Sequence, residues 1–352
     1  MKAIIHFGTN EIMLALVSRG VNNSVVLREL VSDTYSGLRV GEFRAPTELN
    51  SVFNSLISRA GVTLDKVFIA TPACMCEVTS DEISIPVKGK ITARHCEDLL
   101  NSVTLSDGDN IVISKTAVYF RVDGGNPCIN PVGQSGSRLT AKVSLISVRH
   151  SFVDVIKSEL VSIVPNVEFV PLTLSSALYL IPSVARDRMC TLIVSETHST
   201  TISVIAGDGV VYSANVDSGI ESVISDLCVV KEIERPLATE LLKRVVLGLD
   251  GDTVYEFFID GNRKEFSTNE TNEIIQSRLE VMCEGIMKAI TGFGGDLMDG
   301  ELYMMGEIDS IKGARNFLSK EMGTNIKQLR DPQTDGFEPL DLILGSVASF
   351  VL

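Results

Sequence analysis

Two stretches of this chain, far apart in sequence, run through the same events in the same order. In the first, Ile4-Ile5-His6-Phe7 reads as a strand, Gly8-Thr9-Asn10 as a turn and residues 12–17 as a second strand. Gly20-Val21-Asn22-Asn23 then turns into a third strand at Val25-Val26-Leu27. In the second, the strand Thr191-Leu192-Ile193-Val194 meets a polar turn at 195–199 and a strand at 200–206, and Asp208-Gly209 turns into a strand at 210–214. Glycine and asparagine punctuate such runs because they tolerate the positive φ of tight hairpins. Repetition of this pattern without sequence identity predicts an α/β fold of two similar lobes facing each other across a cleft.

The intervening segments fill in the layers. Leu49, Val52, Phe53, Leu56 and Ile57 recur at helical spacing, with Gly61 closing the stripe, and residues 66–71 supply a short buried strand. From about 81 to 158 the texture becomes that of a compact insertion. Thr92 or a neighbour caps a helix running to Ser102, and a strand at 117–122 ends at Asp123-Gly124-Gly125. Residues 138–148 alternate, with Leu139, Ala141, Val143 and Leu145 on one side and Arg138, Thr140, Lys142 and Ser144 on the other, which predicts a strand with one wet face. A helix bearing Phe152, Val153, Ile156 and Leu160 leads back to the main body. Later, Pro236 suits the first turn of a helix, a strand at 254–259 turns at Asp260-Gly261, and Ser267 or Thr268 caps a long helix striped by Ile275, Leu279, Met282, Ile286 and Ile290. A strand at 302–305, a helix from about 312 to 322 and an apolar tail at 340–352 complete the chain.

Composition removes several function classes. The 352 residues carry 31 basic and 45 acidic side chains, a net charge of −14, whereas a grip on nucleic acid needs a clustered excess of Lys and Arg. With 45% hydrophobic and 22% charged residues the chain is that of a folded globular protein. Its longest apolar runs, such as 67–70 and 192–194, are strand-sized, far short of the ~20 residues that span a bilayer. The N-terminus has no extended apolar region or cleavage site, so no signal peptide is read and the cytoplasm is expected. Seven cysteines without a C-x-x-C pair fit buried thiols in a reducing compartment, and Cys74-Met75-Cys76 reads as a packed strand-to-loop position. His6, His95, His150 and His198 show no metal-ligand spacing, so no metal site is expected.

Three segments resemble a known family. Asn130-Pro131-Val132-Gly133-Gln134-Ser135-Gly136-Ser137-Arg138-Leu139, preceded by Val122-Asp123-Gly124, is similar to a segment of the insertion domain of FtsA, the bacterial actin-like protein of cell division. Ile274-Ile275-Gln276-Ser277-Arg278-Leu279 resembles the family's long-helix motif, and Thr239-Glu240-Leu241-Leu242-Lys243 its A-E-x-x-K helix. The resemblance implies an actin-like α/β fold of the actin, Hsp70 and sugar-kinase kind. Its first-lobe core is 1–80 and 159–185, its FtsA-type insertion domain 81–158, its second-lobe core 186–230 and 292–352, and its helical subdomain 231–291. It further implies filaments of the chain itself, docking of the FtsZ C-terminal tail near Arg278, and other division proteins at the insertion domain. The expected location is the cytoplasmic face of the membrane. The family reaches the membrane through a C-terminal amphipathic helix, whereas Ser346 to Leu352 match the last helix of the actin-like body. Membrane contact is therefore expected through a partner, or through an anchor outside this sequence.

The resemblance also implies a nucleotide site built from two hairpin turns that hold phosphate, each with an aspartate that orients magnesium. The family's first turn resembles Asp-Ile-Gly-Thr-Ser-Lys. Here it matches His6-Phe7-Gly8-Thr9-Asn10-Glu11, which keeps Gly8 and Thr9 but places a histidine where the carboxylate belongs. The second turn, Asp-Ile-Gly-Gly-Gly-Thr-Thr-Asp in the family, matches residues 195–202, where both aspartates and all three glycines are replaced and Thr200 and Thr201 remain as donors. Glu240 and Lys243 match the ribose-facing pair, although an ordinary solvated helix pair has the same spacing. Gly306 and Gly313 match the adenine loop, with Glu307 in place of its second glycine.

The cofactor-binding candidates are thus Gly8, Thr9, Asn10, Thr200, Thr201, Glu240, Lys243, Gly306 and Gly313, with Arg278 for a partner and no catalytic residue. Arg278 has its own bland alternative, a side chain lying over the hydrophobic stripe in solvent. Two cofactor outcomes stay open, none or ATP with magnesium, and little or no hydrolysis is expected. The alternatives are a PilM-like assembly platform of pili or secretion systems, or a weak ATPase or kinase of the same superfold.

Overall fold

The computed structural model describes residues 1–352 except 9, 40–41, 105–107, 249–252, 260–261, 295–299 and 330–341. Thr9 and the turn at Asp260-Gly261 lie outside the described residues. In chain order the strands and helices are β1 (Lys2–Phe7), β2 (Glu11–Arg19), β3 (Val25–Thr34), β4 (Leu38–Arg39), β5 (Glu42–Phe43), α1 (Pro46–Ala60), β6 (Lys66–Thr71), β7 (Glu77–Lys90), α2 (Ala93–Asn101), β8 (Asn110–Val122), β9 (Ser135–Arg149), α3 (His150–Leu160), β10 (Asn166–Pro171), α4 (Leu172–Leu180) and α5 (Ser183–Asp187). The second half continues with β11 (Cys190–Ser195), β12 (Thr200–Ala206), β13 (Gly209–Val216), α6 (Ile220–Lys231), α7 (Arg235–Arg244), β14 (Val254–Ile259), β15 (Asn262–Ser267), α8 (Thr268–Gly292), β16 (Glu301–Gly306), α9 (Ala314–Glu321), β17 (Ile326–Gln328) and α10 (Leu342–Val351).

The repeat read in the sequence is a repeat of topology. One sheet runs β3-β2-β1-β6-β10 and the other β13-β12-β11-β16-β17, the same strand order built twice. In the first, β1 pairs antiparallel with β2 and parallel with β6. Strand β3 extends to Thr34, well beyond the apolar run at 25–27, because an edge strand tolerates the exposed Arg28 and Glu29. The chain divides into two compact units, residues 1–190, 203–213 and 329–352 forming one, and 191–202 and 214–328 the other.

In the first unit, α1 buries Leu49, Phe53 and Leu56 on one face and ends at Gly61, which takes the left-handed conformation. Full burial of such side chains contributes about 1.5–3 kcal/mol each. The apolar C-terminal residues form α10, which packs on α4 and β1.

Strands β7, β9 and β8, with β9 central, make a separate antiparallel sheet closed by α2. Its core is Val87, Ile91, Leu99, Phe120, Leu139, Ala141, Val143 and Leu145. Thr92 caps α2, accepting from the amide of His95. The wet face expected on β9 is covered at one end: Thr140 and Ser144 are buried. The tip of the β12–β13 hairpin covers it, with the Ser144 hydroxyl donating to Val210 O at 2.6 Å and Ser80 Oγ donating to Val211 O at 3.4 Å. Buried Arg186 holds the same tip, donating to Gly207 O at 3.0 Å and to Asp208 Oδ1 at 2.8 Å. A polar strand face can be buried in this way only because each hydroxyl finds an acceptor.

In the second unit Ser267 caps α8, whose buried stripe is the one expected: Ile275, Leu279, Met282, Ile286 and Ile290. Among the described residues no helix is long and apolar enough to cross a membrane.

Candidate functional site

The two hairpin turns matched to phosphate-binding loops differ sharply. In the first unit, the turn between β1 and β2 is closed by Gly8 N donating to Glu11 O at 2.8 Å, and Asn10 O accepts from Tyr35 N at 2.9 Å. A Cβ on Gly8 would come no closer than 3.4 Å to any atom, so internal crowding does not demand glycine there. The His6 ring is buried on β1, between strand partners Met13 and Ala70.

In the second unit, the turn between β11 and β12 is filled by its own chain. Ser195, buried at the end of β11, accepts at Oγ from Ile308 N at 2.8 Å and donates to Met305 O at 3.3 Å, while its carbonyl accepts from Glu307 N at 2.9 Å. Glu196 N donates to Ser199 O at 2.8 Å and closes the turn. The carbonyls of Glu196 and Thr197 in turn accept from Ile220 N and Glu221 N, the first amides of α6, at 3.3 and 2.9 Å. A helix N-terminus is an anion site because its first amides lack partners, and here backbone carbonyls occupy two of them. The Thr197 hydroxyl donates to the Glu307 carboxyl group at 3.2 Å, so an acidic side chain lies against the turn.

The threonines expected as phosphate donors are fully buried and committed inward. Thr200 Oγ1 donates to Ser218 O at 2.8 Å, and Thr201 Oγ1 to Asn215 Oδ1 at 2.8 Å.

Gly306 and Gly313 are required by backbone geometry. Gly306 has φ +102° and a Cβ there would lie 2.0 Å from Ser195 O; Gly313 has φ +89° and its Cβ would lie 2.5 Å from Leu247 O. The structure therefore joins the 195–199 turn to residues 305–308, and Gly313 to the segment just after α7. Glu240 and Lys243, exposed on α7, bind each other at 2.6 Å, the ordinary fate of an i,i+3 pair. Arg278 on α8 holds Asp226 of α6 with two bonds of 2.6 and 2.9 Å, and this carboxylate raises the guanidinium above its ordinary pKa.

Three residues of this arrangement escaped the sequence reading: Ser195 as a hub, Glu307 as a partner of Thr197, and Gly219. A Cβ on Gly219 would lie 2.2 Å from Glu196 O. The Ser218-Gly219 pair ahead of the apolar-periodic 220–227 carries a helix-start signal that points to it.

Residues 122–139 are held by their own polar contacts. Asp123, with φ +49°, accepts at Oδ1 from Ser137 N, Ser137 Oγ and Arg138 N at 3.0, 2.9 and 2.8 Å. These bonds hold its carboxyl below the usual 3.8. Gly133 N donates to Ile91 O at 2.9 Å and Ile91 N to Gln134 O at 2.8 Å, so the loop ahead of β9 is pinned to Ile91 where the strand begins.

No family model matches the chain, and no curated protein does. Solved structures do. A PilM–PilN type IV pilus biogenesis complex is similar with a TM-score of 0.67 at 14% identity, over 99% of this chain and 98% of that one. MreB5 of Spiroplasma citri bound to AMPPNP matches with a TM-score of 0.58 at 11% identity, over 99% and 96%. A MamK double helical filament matches at 0.56 with 10% identity, over 99% and 98%. At these identities the likeness establishes the fold: two sheets of one strand order, in a chain that aligns end to end with these proteins, form the actin-like fold.

Proposed function

We propose that this chain is an actin-fold scaffold that works by assembly and not by nucleotide turnover. The observation that carries the reading is the β11–β12 turn, where backbone carbonyls take the first amides of α6, Glu307 occupies the anion's surroundings, and no aspartate stands at either end of β11's turn. Phosphoryl transfer depends on positioned cations and donors around the phosphates, and here two helix-start amides and the hydroxyls of Thr197, Thr200 and Thr201 are already engaged within the protein. The nearest chemistry consistent with the residues is a retained shape without a working phosphate cradle.

Within that reading the role is FtsA-like: a division scaffold on the cytoplasmic face of the membrane, forming filaments of its own and binding the FtsZ tail. The insertion and long-helix motifs around Asp123 and Arg278 support it. A PilM-like assembly platform is the second reading. It draws support from a groove of about 520 Å³ along β10, lined by Lys2, Lys66, Phe68, Lys157 and Phe350. Strand β10 ends the sheet order among the described residues, so a partner segment could add to it there.

Ultracentrifugal pelleting and negative-stain microscopy with and without magnesium ATP test the scaffold, and an FtsZ-tail peptide titrated against wild type and Arg278→Glu tests the partner. The expected results are filaments independent of nucleotide and tail binding weakened by the substitution. Filaments that form only with hydrolysable ATP would overturn the scaffold reading, and unchanged tail affinity in Arg278→Glu would remove Arg278 from the partner site.

A further inference from the structure

We propose that the tip of the β7-β9-β8 sheet docks directly on an anionic lipid surface. The tip is the place where β7 ends, α2 begins and the 130–134 loop leads into β9. Two large aliphatic side chains are exposed on the segment joining β8 to β9, Ile129 at 51% and Val132 at 48% exposure. Lys88 and Lys90 on β7, Arg94 in the first turn of α2 and Arg138 on β9 are exposed as well. Register holds the set together: Gly89 pairs with Gly136, Lys90 with Ser135 and Pro86 with Arg138, while Gly133 and Gln134 bond Ile91.

The local charge opposes that of the whole molecule. In a chain of net charge −14, residues 86–101 and 119–138 carry five lysines and arginines against three carboxylates. Of those three, Asp123 is spent on the amides of Ser137 and Arg138, and Asp98 lies 3.8 Å from Arg94; Glu97 is the third. Exposed cations and exposed aliphatic groups on one sheet of an otherwise acidic protein are the two signals that peripheral membrane binding needs.

The shape favours a surface over a peptide. Gly89, Gly124 and Gly133 all have positive φ, and a Cβ at each would meet nothing within 4 Å, so the tip is open on every side they face. A peptide ligand wants walls, whereas a plane of headgroups wants a protrusion. The loop is also pre-ordered: the Asp123 clamp, the Ile91 pairing and the exchange of backbone bonds between Phe120 and Cys128 at 2.7 and 2.8 Å fix it before contact, which lowers the entropy lost on docking.

Co-sedimentation of the full chain with phosphatidylcholine vesicles, and with vesicles that also contain phosphatidylserine, tests the proposal. Wild type is expected to sediment with the serine-containing vesicles alone, and added salt to release it. Lys88→Glu with Lys90→Glu is expected to lower partitioning about tenfold or more. Ile129→Ser with Val132→Ser is expected to lower it while leaving the salt dependence intact. Both pairs are exposed, and an unchanged circular-dichroism melt checks the fold. Absence of wild-type binding, equal binding to both vesicle types, or full binding by the charge-reversed variant would each overturn the proposal. So would tight capture of poly-glutamate with no vesicle binding, which would make the tip a site for acidic protein segments. None of these outcomes bears on nucleotide-independent assembly, so the two readings fail separately.

Discussion

The turns after β1 and β11 occupy the same position in two sheets of the same strand order, and their interiors are filled in opposite ways. At Gly8 the surroundings leave room for a side chain. At Ser195 to Ser199 the turn is locked to residues 305–308, to the start of α6 and to Glu307. Strands are fixed by ladder bonds and by burial, so the two sheets agree. Turns are fixed by whatever their side chains and neighbouring backbone can reach, and there the two halves diverge. Architecture can thus be repeated while equivalent turns are held by different contacts.

The contrast can be broken by mutation. Gly306→Ala forces a side chain into a position with φ +102° and against Ser195 O, and is expected to cost on the order of 3 kcal/mol or more in urea unfolding. Gly8→Ala is expected to cost less than about 1 kcal/mol; equal costs would erase the distinction between the turns. Ser195→Ala leaves the buried Ile308 amide without its acceptor, a loss of about 1–3 kcal/mol by the same measurement.

A pH series sharpens the comparison with a third turn, the Asp123 clamp of the β7-β9-β8 sheet. Its carboxyl pKa is lowered on folding, so its contribution is present above the ordinary 3.8 and is lost as pH falls through the lower folded value. Hydrogen exchange at the Ser137 and Arg138 amides is expected to speed up in that acid window relative to the core of β9, and to be fast already at neutral pH in Asp123→Ala. Exchange that ignores both changes would leave the clamp without a role. The smallest effect is expected at Glu232, which ends α6 with φ +49°: Glu232→Gly is expected to raise stability by roughly 0.5–1 kcal/mol.

Much of the fold was legible because its signals are local. The stripe of α8, the Thr92 cap and the two strand-turn-hairpin repeats follow from periodicity and turn chemistry within short windows. The buried polar face of β9 was not legible, since Ser144 is covered by a hairpin 66 residues away. At the β11–β12 turn the absence of aspartate and glycine was plain in the sequence, and the contacts that close the turn were not. That Ser195, Glu307 and Gly219 meet depends on contacts between β11, β16 and α6 that no window contains. Arg278 shows the same limit: its spacing on a helix was plain, its partner Asp226 was not.

Isothermal titration with magnesium ATP, run beside a phosphate-release assay on the same sample, tests the closed turn most directly. A self-filled phosphate turn predicts no release of phosphate, and no heat beyond dilution. Micromolar binding accompanied by steady release would contradict it.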